Sequence, residues 1–194
     1  MPQTLSADLS GKLAHHSDRN DSPKVGDWVA VGITEGDRPI VQSVVMRSNA
    51  IARKASGGQV VKQIIATNVD IAFVVLALDN DFSIERLQRF LYQLSIEKIK
   101  AVVVLNKADK TNDVQSYIAQ LRLLELPIIV CVATEGSGVD EMASLVKPGL
   151  TAILLGSSGV GKSTLTNKLL GRESQLTRAV RQSDSTGMHT TVHR

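Results

Sequence analysis

The sequence predicts an α/β protein in two parts: a small β-barrel over residues 1–66 and a parallel sheet flanked by helices over residues 67–194. Two observations carry this. Near-continuous apolar runs at 69–78, 101–105, 127–132 and 151–155 alternate with segments of helical spacing. Before residue 67 the apolar stretches are short and broken by Glu35-Gly36-Asp37 and Ser56-Gly57-Gly58, both turn-forming.

In the first part, Val25–Val31, Pro39–Met46 and Val60–Ile65 read as strands. Trp28, the chain's one tryptophan, is expected in their core. In the second part, Ser83 caps a helix whose apolar positions are Ile84, Leu87, Leu91 and Leu94, with Phe90 alongside. Val114, Ile118 and Leu121 mark another helix, started by Thr111, Asn112 or Asp113. Val139–Val146 forms a short helix ended by Pro148-Gly149, and Lys162–Leu170 a helix closed by Gly171. Strands alternating with helices require right-handed crossovers and a parallel sheet.

Composition narrows the class. The 194 residues are 43% hydrophobic and 21% charged, close to a globular average and far from a disordered chain. No apolar run reaches the roughly 18–20 residues that span a bilayer, and the first 22 residues lack the apolar core of a secretory signal. No membrane association is therefore expected. One cysteine, Cys131, excludes an internal disulfide, and a cytoplasmic location fits. The net charge of +3 is uneven: +2 over residues 1–66, −3 over 67–161 and +4 over 162–194. Basic ends suit phosphates or nucleic acid, or simply a solvated surface. Aromatics at 3% supply no base-stacking platform.

The strongest chemical signal is Gly156-Ser157-Ser158-Gly159-Val160-Gly161-Lys162-Ser163, followed by Thr164. It matches G-x-x-x-x-G-K-[ST] in full, between an expected strand and an expected helix. Glycines let backbone N–H groups turn inward around phosphate oxygens, and the helix N-terminus adds positive partial charge. Lys162 reaches the β- and γ-phosphates in such a loop, and the Ser163 hydroxyl ligates Mg²⁺.

Asn106-Lys107-Ala108-Asp109 directly follows the 101–105 strand, where open α/β sheets present ligand loops. An Asp109 carboxylate can accept from both N1–H and the 2-amino group of guanine. Adenine has no such donor pair, so it would leave a polar group unmet, at about 1–3 kcal/mol each. Lys107 can lay its methylenes along the base, and Asn106 can tie this loop to the phosphate loop.

The order is unusual, because N-K-x-D precedes the phosphate loop by 50 residues. Cutting and rejoining the chain elsewhere preserves the site if the same strands still meet. In this the sequence resembles the circularly permuted GTPases. Val25-Gly26-Asp27-Trp28, Arg53-Lys54, Asn68-Val69-Asp70 and Gly187-x-His189-Thr190-Thr191 narrow the resemblance to the bacterial small ribosomal subunit-dependent GTPase A family.

The resemblance implies an OB-fold domain at 1–66, a permuted P-loop GTPase domain at 67–194 and, in the full-length family, a C-terminal zinc-binding domain. It implies hydrolysis of GTP to GDP on the small ribosomal subunit, in contact with its rRNA, late in that subunit's maturation, by a monomer. By carry-over, Asn106, Lys107 and Asp109 read guanine, and Gly156 to Thr164 hold the phosphates. Ala133 donates its N–H to guanine O6, although Val132 stands where the family has Ser. Thr190, preferred over Thr191, is the switch threonine that contacts Mg²⁺, and His189 assists hydrolysis with Lys162 and Thr190. The alternatives are a permuted GTPase with another partner, or a non-catalytic ribosome- or RNA-binding module.

Two patterns mislead. His189 and His193 have i,i+4 spacing, but the β-branched residues between them disfavour a helix, and no further ligand completes a metal site. Asp184-Ser185-Thr186-Gly187 spells D-x-x-G without an apolar strand before it, and is expected to be switch-loop sequence. The family's own D-x-x-G strand and zinc domain are expected beyond residue 194, and one or more barrel strands before Leu9. As a fragment the chain is expected to bind nucleotide weakly, hydrolyse it slowly and keep a mobile switch when nucleotide-free.

Overall fold

The computed structural model describes residues 5–15, 21–33, 38–54, 62–79, 81–171 and 191–192. The chain divides into two compact units, Met1–Asn68 and Val69–Arg194. The division falls two residues beyond the expected 66/67 boundary because Thr67 and Asn68 are tied into the first unit. Thr67 N–H donates to the Val25 carbonyl at 3.0 Å and Asn68 N–H to that of Asn49 at 3.1 Å.

The first unit contains β1 (Asp8–Leu9), α1 (Gly11–His15), β2 (Val29–Gly32), β3 (Ile40–Val44), β4 (Ala50–Lys54) and β5 (Lys62–Thr67). Among the described residues these form a three-stranded sheet, ordered β1-β3-β2, and an antiparallel β4-β5 pair. Both are consistent with the OB-fold expectation. β4 escapes sequence detection because Ala-Ile-Ala-Arg-Lys offers one large apolar residue; Ile51 is nevertheless fully buried. Trp28 overturns its expected core position: it is 60% exposed. It precedes β2, and its carbonyl accepts from Val45 N–H, so backbone pairing, not ring size, decides which way the side chain faces.

Asp27 organises this unit. Arg47 clamps its carboxylate with Nε and Nη2, both at 2.8 Å, while Thr67 Oγ1 and Lys24 N–H each donate at 2.7 Å. Burial pushes the Asp27 carboxyl up, but these hydrogen bonds hold it below the usual carboxylate value. The neighbouring Gly26 has φ +97°, and a Cβ there would lie 2.0 Å from the Thr67 carbonyl oxygen. Gly26→Ala is therefore expected to destabilise the first unit by at least about 2 kcal/mol. Thermal unfolding followed by fluorescence of Trp28, which reports this unit alone, checks it; an unchanged midpoint would contradict the contact.

The second unit runs β6 (Ile71–Ala77), α2 (Ile84–Ile96), β7 (Lys100–Asn106), α3 (Val114–Leu121), β8 (Ile128–Val130), α4 (Val139–Leu145), β9 (Ala152–Leu155), α5 (Lys162–Leu170) and β10 (Thr191–Val192). The sheet order is β10-β9-β6-β7-β8, parallel except for β10 against β9. All seven residues of β6 are buried, as a central strand covered on both faces must be. On one face Phe73, Val75, Val104 and Leu154 pack with Val139 and Met142 of α4 and Leu165 of α5. Cys131 lies in the same cluster, and burial pushes its thiol up to about 11, which leaves it unreactive.

The helix signals resolve locally. Ser83 Oγ accepts from Arg86 N–H and starts α2, which buries Leu87, Phe90 and Leu94. Of the three candidate caps for α3, Asp113 takes the role by accepting from Ser116 N–H. Gly171 closes α5 in the left-handed conformation at φ 61°. From β6 the chain proceeds outward to β7 and β8, then returns across the sheet to place β9 on the other side of β6. The strand order therefore reverses at β6, and the C-terminal ends of β6, β7 and β9 open onto one crevice. No helix among the described residues is long and apolar enough to cross a membrane.

Candidate functional site

β9 delivers Gly156 to that crevice, and the loop through Gly161 turns into α5. Gly161 has φ +101°, and a Cβ there would sit 2.2 Å from Asn106 Nδ2. Only glycine allows this approach between the two motifs. As the residue that starts α5, Gly161 supplies no side-chain cap, so the first N–H groups of that nine-residue helix remain for a ligand. Lys162 is 5% exposed, and its Nζ donates to the carbonyls of Gly156 at 3.0 Å and Ser157 at 2.6 Å. Burial pushes its ammonium down to about 8, against the opposing field of Asp81. Thr166 Oγ1 returns a bond to the Lys162 carbonyl at 2.9 Å. Ser158 and Gly159 are exposed, Val160 is buried, and Ser157, Ser163 and Thr164 are partly buried.

β7 delivers Asn106 beside this loop. Asn106 is 2% exposed. Its Nδ2 donates to the Val160 carbonyl at 2.7 Å, and its Oδ1 accepts from Ala133 N–H at 3.0 Å. One side chain thus joins the N-K-x-D loop, the phosphate loop and the loop after β8, across gaps of 54 and 27 residues. Lys107 takes the left-handed conformation, φ 61°, and its Nζ meets Asp79 Oδ2 at 2.7 Å. Asp109 is exposed and pairs with Lys110 at 2.9 Å; that hydrogen bond holds its carboxyl below the usual value, so at neutral pH it is an ionised acceptor.

The crevice also holds residues that sequence reasoning missed. Asp79, Asp81 and Arg86 lie in and just after the turn from β6 to α2, and two of them touch the phosphate loop at Ser157. The available signal was positional: an acidic pair at the end of a fully apolar strand, facing the same crevice as N-K-x-D. His189 and Thr190, the Asp184–Gly187 stretch and His193 lie outside the described residues. Thr191 is in β10, opposite Leu154 of β9.

The chemistry of the donors fits a nucleoside diphosphate. A buried ammonium and uncapped helix N–H groups await an anion, and a carboxylate stands by the base-side loop. Among the described residues no group of three or more His, Cys, Asp or Glu could hold a metal.

Fold and site together define a P-loop α/β protein of permuted order, with the strand that carries N-K-x-D encoded before the strand that leads into the phosphate loop. The model of the RsgA GTPase family matches residues 44–194, and the chain belongs to that family. Relatives named small ribosomal subunit biogenesis GTPase RsgA are 38% identical in Opitutus terrae over 98% of this chain, and 42% identical in Xanthomonas oryzae pv. oryzae over 88%. These matches cover 55% and 46% of the relatives' own lengths, so the chain spans about half of them. Two solved structures share the fold. YjeQ from Thermotoga maritima has a TM-score of 0.67 and 24% identity over 95% of this chain and 64% of its own. YloQ, described as a circularly permuted GTPase, has a TM-score of 0.64 and 19% identity over 87% and 56%.

Proposed function

We propose that this chain binds GTP and GDP with Mg²⁺, and that it forms the nucleotide-binding part of a GTPase acting in maturation of the small ribosomal subunit. The observation that carries this is Asn106. It binds Val160 of the phosphate loop through Nδ2, so base reading and phosphate binding share one buried junction. Asp109 accepts from the guanine edge, Lys107 covers the base, Gly156 to Thr164 enclose the phosphates, and Lys162 carries the charge. Ala133 N–H, engaged by Asn106 Oδ1, is shared with guanine O6. Ser163 ligates Mg²⁺, and Thr190 and His189 serve as switch threonine and hydrolytic histidine. The names of the relatives support the small subunit as partner, with rRNA met through the basic segments.

The test is displacement of a fluorescent guanine nucleotide from the full chain. GTP and GDP are expected to compete at least about a hundredfold better than ATP, since guanine alone offers the Asp109 carboxylate an N1–H and a 2-amino donor. Equal competition by ATP would refute the guanine reading. Co-sedimentation with small subunits, stronger with a GTP analogue than with GDP, tests the partner. Pelleting that is indifferent to nucleotide would refute a nucleotide-controlled role.

A further inference from the structure

Resting on the guanine nucleotide reading of this site, we propose that Asp79, Asp81 and Arg86 are positioning residues that join Lys107 to the phosphate loop in one hydrogen-bonded chain, so that base and diphosphate are gripped as a unit. The chain is continuous. Lys107 Nζ donates to Asp79 Oδ2 at 2.7 Å, and the other oxygen of Asp79 accepts from Asp81 N–H at 3.0 Å. Asp81 Oδ2 accepts from Ser157 Oγ. The Ser157 carbonyl accepts from Lys162 Nζ at 2.6 Å. Each bond has a determined direction, because a carboxylate only accepts and an ammonium only donates.

Arg86 locks the middle of this chain. Its Nη1 lies 2.8 Å from Asp81 Oδ2 and donates to the Asp81 carbonyl at 3.2 Å and to Ser157 Oγ at 3.0 Å. The Ser157 hydroxyl therefore accepts from Arg86 and donates to Asp81, and its rotor has one orientation. The turn itself is braced: Ser83 caps α2 through Arg86 N–H, and the Phe82 ring meets Tyr117 of α3 edge-on, with centroids 4.7 Å apart. A half-exposed Arg–Asp pair contributes little to stability by itself. Here its third partner is a phosphate-loop residue 71 positions away, next to the buried ammonium, and that makes the pair a matter of ligand geometry.

A double-mutant cycle on the full chain, read as GDP affinity by calorimetry with Mg²⁺ present, tests this. Asp79→Asn keeps the acceptor for Asp81 N–H but loses Lys107; Ser157→Ala cuts the link to Asp81. Each is expected to weaken GDP binding about five- to tenfold, and the double variant no more than the worse single, because either cut breaks the same chain. Ser157→Thr keeps the hydroxyl and is expected to recover most of the loss. Arg86→Gln, a surface change with little effect on folding, is expected to cost about fivefold. Melting temperatures close to wild type establish that the variants are folded. Additive losses in the double variant, or a Thr variant no better than Ala, would overturn the proposal while wild-type GDP binding leaves the guanine reading intact. Failure of the wild type to prefer GDP over ADP would overturn both.

Discussion

Lys162→Met is expected to weaken GDP binding at pH 7 by about a hundredfold or more, because the loop then holds the diphosphate with neutral donors alone. The same variant is expected to melt at or above the wild-type temperature at pH 7. Burial holds the folded-state ammonium down at about 8, below its value of 10.5 in the unfolded chain. Between these values the unfolded chain binds the extra proton, so wild-type stability rises with pH across that window; below about 8 the buried charge is a cost to the fold that Met removes. Phosphate has the opposite preference and requires the ammonium. Wild-type GDP affinity is therefore expected to be flat near pH 7 and to fall above pH 8, by at most about tenfold per unit. The Met variant should show no such fall. Calorimetry from pH 7 to 9, together with a melting curve, checks both halves. A variant that binds GDP normally would remove Lys162 from the phosphate site, and a wild type with constant affinity to pH 9 would refute the lowering of its ammonium by burial.

Asp109→Asn is expected to lower GDP affinity by about two to four orders of magnitude, the effect of leaving two guanine donors facing an amide. It should also raise affinity for the xanthine nucleotide, whose 2-oxo group needs the donor that Asn supplies. The geometry favours this exchange. Asp109 is exposed, ionised and paired with Lys110 at 2.9 Å. A surface ion pair of this kind is weak, so a base edge can replace it. Retained guanine preference in the variant would exclude Asp109 from base reading.

Much of the second unit was legible because its rules are local. Apolar runs long enough to be buried on both faces announced β6, β7, β8 and β9, and Ser83 and Gly171 announced helix ends by their own backbone chemistry. The phosphate loop and N-K-x-D were legible because each is a short run of specific residues directly after an expected buried strand. The first unit was less legible. β4 carries a single large apolar residue, and Trp28, expected inside, lies at the surface because strand pairing, which no local pattern encodes, sets its direction.

By itself, the sequence determined which chemistry is present: an ammonium in a glycine loop, a carboxylate after a buried strand, and the order in which they are encoded. Their convergence was decided only in three dimensions. Asn106 reaches Val160 and Ala133 because the chain doubles back across the sheet, and Asp79, Asp81 and Arg86 join Lys107 to Ser157 for the same reason. The physical cause is that hydrogen bonds act over about 3 Å, whereas these partners lie up to 76 residues apart along the chain. Spacing in sequence carries no information on such pairs until the strand order brings their ends to one edge.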